Sequence, residues 1–146
     1  MKLKKNITLV LIAVTALFLN SCSLEGEEFL SKVFDIEMSV TSTRNNRLSR
    51  LETAVVGPDV NLTTQTTSDT NFPFYKAYMQ QKISEFTNID LTVTDNSAGP
   101  IGSVFEPYDI SFVIRINGEE TIKKTATIKK AGEVAYLSYS MQSFFR

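Results

Sequence analysis

The chain has 146 residues, 42% of them hydrophobic, with 15 basic and 16 acidic side chains, one Cys, no His and no Trp. That length suits one domain with a core of its own. The missing imidazole excludes Ser-His-Asp and Cys-His catalysis and His-containing zinc sites, and a lone Cys excludes an intrachain disulfide. An enzyme would be left with carboxylate, Lys or Tyr chemistry.

Met1-Lys2-Leu3-Lys4-Lys5 forms a positively charged start, and Ile7 to Leu19 is an apolar run of 13 residues interrupted only by Thr8 and Thr15. A helical span of the bilayer core takes about 20 residues, so the run reads as an export signal rather than a membrane span. It ends in Leu19-Asn20-Ser21-Cys22. With Leu three positions before Cys22 and a small residue directly before it, this stretch resembles the lipobox of bacterial lipoproteins. Asn20 departs from the small residue commonest at its position. The resemblance covers residues 1–22 and implies diacylglycerol on the Cys22 sulfur, cleavage between Ser21 and Cys22, and a new amino group open to acylation. Two or three acyl chains anchor firmly, because each buried methylene contributes about 0.8 kcal/mol.

Losing Lys2, Lys4 and Lys5 with the signal leaves 12 basic against 16 acidic groups, a net −4. Such a surface gains nothing from neutralising phosphate, so nucleic acid is not an expected partner. Ser23-Leu24-Glu25-Gly26-Glu27-Glu28 follows the cysteine. Ser23 is not the Asp that favours inner-membrane retention in enterobacterial sorting, and this points to the outer membrane. Glu25, Glu27 and Glu28 resemble the acidic tags that send some Gram-negative lipoproteins to the cell surface. The same run also reads as a solvated, extended tether. Surface-facing and periplasm-facing positions both stay open. The expected organisation is a cleaved signal over 1–21, a lipidated acidic tether over 22–32, and one β-rich domain over 33–146.

From Val33 the texture is alternation. Phe34, Ile36, Met38 and Val40 lie between polar residues and predict a half-buried strand. After a turn at Arg44–Arg47, Leu48 to Val56 fits helical spacing through Leu48, Leu51 and Val55, but Thr53-Ala54-Val55-Val56 favours a strand ended by Gly57-Pro58-Asp59. Residues 60–71, rich in Thr, Asn, Ser and Gln, predict an edge strand or a long loop. Tyr75, Met79, Ile83 and Phe86 recur at i, i+4, i+8 and i+11 behind Pro73 and predict a helix. Strand patterns resume at Ile89, Leu91 and Val93. After a loop over 95–107 they return at Ile110, Phe112, Ile114 and Ile116. Asn117-Gly118 predicts a type I′ hairpin, with Ile122, Ala126 and Ile128 on the return strand. A last strand runs through Val134, Tyr136, Leu137, Tyr139 and Met141.

Six or seven strands and one helix predict a mainly β fold: an antiparallel β-sandwich with a helical crossover. The alternative is a single antiparallel sheet with the helix across one face. In general texture the domain is similar to immunoglobulin-like and transthyretin-like lipoprotein domains.

Each candidate site has a plainer reading. Asp95-Asn96-Ser97 offers oxygen ligands but lacks calcium-loop spacing, and Asx turn chemistry accounts for it better. Tyr75 is in phase with Met79 and predicts a core position, which leaves Tyr78 as the exposed aromatic for a sugar or a partner pocket. Phe144 and Phe145 form either a last core contact or a small docking patch. Glu119 and Glu120 are strand neighbours that point to opposite faces and cannot flank one substrate bond. No cofactor, metal or catalytic group is expected. The expected role is a non-enzymatic binding or accessory module, membrane-bound through its lipid, whose partner is another envelope protein or a glycan. The alternative is a structural subunit of a larger envelope assembly.

Overall fold

The computed structural model describes residues 30–97 and 104–146. Within them lie eight strands: β1 (Ser31–Ser42), β2 (Ser49–Gly57), β3 (Val60–Ser68), β4 (Phe74–Ser84), β5 (Asn88–Asp95), β6 (Tyr108–Ile116), β7 (Glu119–Ile128) and β8 (Val134–Ser140). A short 3₁₀ helix, Met141–Phe145, follows β8. Sheet A has the order β4-β1-β6-β7 and sheet B the order β3-β2-β5-β8, and every pairing is antiparallel. The fold is the expected β-sandwich. β1 and β2 lie in opposite sheets, whereas the immunoglobulin order makes the first two strands neighbours.

Alternation builds the core. Phe34, Ile36, Met38 and Val40 from β1 meet Ile110, Phe112, Ile114 and Ile116 from β6, and across the sandwich lie Leu51, Val55, Ile89, Leu91 and Val93, all buried. Each such side chain contributes about 1.5–3 kcal/mol by leaving water. Two hairpins keep strand neighbours together. Asn117 and Gly118 both have positive φ, 53° and 82°, as a type I′ turn requires. The β2–β3 hairpin turns at Pro58-Asp59 beside Gly57, where a Cβ would lie 2.9 Å from Thr87 Cβ and 3.0 Å from Thr87 Cα.

The expected helix over Pro73–Phe86 does not form, and the helix-on-sheet alternative goes with it. Residues 74–84 are β4, an edge strand of sheet A. A bulge explains the misleading spacing. Asp35 of β1 faces both Met79 and Gln80, the pairing shifts between Phe34 and Ile36, and Gln80 takes φ 53°. One extra residue reverses the strand's parity, so Tyr75 and Met79 face solvent while Ile83, at the same even spacing, faces the core. Of the expected helical stripe only Ile83 is buried; Tyr75, Met79 and Phe86 are exposed. Tyr75, expected in the core, is 60% exposed.

Polar and aromatic contacts join the sheets around the perimeter. Tyr78 Oη lies 3.2 Å from Thr64 Oγ1 where β4 approaches β3. Lys124 of β7 donates to the Tyr136 carbonyl of β8 at 2.7 Å and sits 4.5 Å from that ring's centre. At one end of the sandwich, Tyr108 of β6 donates to Asp95 Oδ2 of β5 at 2.6 Å. At the other, Lys32 donates to the Phe144 carbonyl at 2.8 Å, and the Phe144 and Phe145 rings stand edge-on to Phe34 at 5.4 and 5.9 Å.

Candidate functional site

The outer face of sheet B carries a depression of about 370 Å³, lined by Glu52, Ala54, Thr63, Gln65, Asp90 and Thr92 among others. Strand register places these groups. Inward Leu51, Thr53 and Val55 turn Glu52 and Ala54 of β2 outward. Ala54 pairs with Thr63 on one side and Asp90 on the other, and Glu52 pairs with Gln65 and Thr92. The small Ala54 side chain sits at the centre of this lattice and leaves room that longer neighbours enclose. Tyr136 stands opposite Thr92 on β8 and is 60% exposed, which adds an aromatic ring beside the same row.

Among the lining residues the only charges are negative. Glu52 and Asp90 supply carboxylates, the Thr hydroxyls both donate and accept, and Gln65 adds an amide. The nearest cation on β2, Arg50, is paired with Glu52 at 3.6 Å. The Glu52 side chain is 37% exposed, so water reaches it. The arrangement can bind hydroxyl-bearing ligands through several hydrogen bonds at once.

Other candidates fall elsewhere. Tyr78 is half-buried, packed against the core with Lys76 5.2 Å from its ring centre, and is not itself among the lining residues, though its hydroxyl meets Thr64, which is. Phe144 and Phe145 pack partly buried against the core at the end where β1 begins. Asp95 is fully buried, and its Oδ1 accepts from Ser97 N at 2.8 Å and from the Ser97 hydroxyl. That is an Asx turn, held further by Tyr108. Among the described residues, no group of three or more Asp, Glu, His or Cys is placed to hold a metal ion. Glu120 lies 3.8 Å from Arg115 at the surface. Ser21, Cys22, Ser23, Glu25, Glu27 and Glu28 lie outside the described residues.

Sequence reasoning missed every residue of the depression. Glu52, Thr63, Gln65, Asp90 and Thr92 are the polar half of three alternating strands, and the same pattern describes any solvated sheet face. The ambiguous reading of residues 48–71 hid the one useful signal, an Ala at an outward position amid longer polar side chains. No protein-family profile and no curated protein sequence matches the chain.

Proposed function

We propose that this chain is a bacterial lipoprotein, acylated on Cys22, whose β-sandwich is a non-enzymatic binding module held at the outer membrane. The observation that carries the reading is the unbroken order of charged start, short apolar run and Leu19-Asn20-Ser21-Cys22. The fold supports it indirectly. β1 starts at Ser31, two residues before the expected start of the domain at Val33, and the nine residues from Cys22 to Leu30 span at most about 30 Å of chain. The lack of any His supports a binding role over hydrolytic triad chemistry.

Cys22→Ser tests the anchor. The variant should keep its leader, take up no labelled fatty acid and leave the detergent phase. Maturation and detergent partitioning like the wild type would refute the reading. A second reading, a structural subunit of an envelope assembly, draws on exposed Tyr75, Met79 and Val33 in sheet A. Native mass spectrometry of the solubilised protein separates the two, because an assembly subunit comes away with stoichiometric protein partners.

A further inference from the structure

We propose that the depression on sheet B is a binding site for a neutral oligosaccharide, an inference that names the ligand class of the binding module proposed above. Glu52 and Asp90 can only accept hydrogen bonds when ionised, and they suit a ligand rich in hydroxyl donors. Thr63, Thr92 and Gln65 supply the complementary donors and acceptors. A sugar ring presents both kinds of group around its rim and an apolar face of C–H bonds. Tyr136 offers that face an exposed ring, and Lys124 fixes its orientation by the contact over the ring and the bond to its carbonyl. The volume of about 370 Å³ is within the range of small-ligand sites. Charge selects among polymers: Arg50 beside Glu52 and Lys124 beside Tyr136 balance the two carboxylates, and a site with no net charge matches a neutral polymer rather than one bearing uronate, sulfate or phosphate groups. A peptide would seek pockets for large apolar side chains, and apart from Ala54 every lining residue is a Thr, Gln, Glu or Asp.

Full-length protein purified in detergent, titrated calorimetrically with cellohexaose, xylohexaose, mannohexaose and maltohexaose, and with polygalacturonate as the acidic counterpart, tests the inference. At least one neutral hexasaccharide should bind, and the acidic polymer should not. Ala54→Arg, which fills the floor, and Tyr136→Ala should each weaken binding about ten-fold or more. Glu52→Gln and Asp90→Asn, which preserve size and fold, should each weaken it measurably. Tyr75→Ala on the opposite sheet should leave it unchanged. Failure of all four neutral sugars to bind, binding indifferent to the sheet B variants, or preference for polygalacturonate would overturn the inference. So would shortening of the sugar suppressed by Glu52→Gln, which would mark a hydrolase. Intact mass on the same preparation keeps the two proposals apart: an acylated protein that ignores sugars defeats this inference alone, and an unacylated one that binds them defeats the anchor alone.

Discussion

Sheet A turns Tyr75, Met79, Val33 and the Arg115–Glu120 pair to solvent, whereas sheet B turns out Thr, Gln, Glu and Asp around a central Ala54. Both faces come from the same alternation and rest on the same core. They differ in relief. Sheet A is pinched at the bulge, where Gln80 N and Nε2 both donate to Asp35 Oδ1, at 2.7 and 3.0 Å. In sheet B, β2 pairs with β3 and with β5 without a register shift. An unbroken lattice keeps rows of side chains aligned across strands, and one small residue among longer ones is then enough to make a concavity. A bulge breaks such rows.

If the two faces share one core but act separately, substitutions should divide by depth. Phe112→Ala removes a fully buried ring between the sheets and should cost about 3–5 kcal/mol in urea unfolding, a large part of a typical domain's stability. Sugar binding and fold should fail together in that variant. Retained stability would mean that the sheets do not depend on one core.

Tyr108→Phe should cost less, about 1–3 kcal/mol, because it leaves Asp95 Oδ2 without its donor across the sheets. Its pH dependence is distinctive. Burial pushes the Tyr108 hydroxyl above the ordinary value of 10.0, and the bond to Asp95 adds to the rise. The folded protein therefore holds this proton more tightly than the unfolded chain. The stabilisation is complete below pH 10 and is lost as pH climbs above it. The gap between wild type and Tyr108→Phe should narrow in urea melts taken above pH 10. A gap constant across that range would remove the hydroxyl from any role in joining the sheets.

The smallest effect is expected at the bulge. Asp35→Ala deletes the acceptor for both Gln80 donors at an exposed site and should cost about 1 kcal/mol. Sugar affinity on the opposite face should be unchanged. A change in that affinity would show the two faces to be coupled.

Much of the fold was legible in the residues. Period-two alternation marked β1, β5 and β6, Asn117-Gly118 marked its hairpin, and Gly57-Pro58-Asp59 marked the turn into β3. β4 was misread because a bulge changes parity in mid-strand, and that depends on which neighbour the strand meets. Tyr75 and Tyr78 exchanged their expected environments for the same reason.

Local chemistry along the chain is enough to specify which segments extend, where they turn and which side chains seek the core, since backbone sterics and apolar patterning act over a few residues. It also carries the charged start, the short apolar run and Cys22, whose proposed processing is read from a linear motif. Register is different in kind. Glu52, Thr63, Gln65, Asp90 and Thr92 are up to 40 positions apart and become neighbours only when β3, β2 and β5 align. Alternation records that each of these residues faces solvent, and the pairing of strands sets which of them face it together.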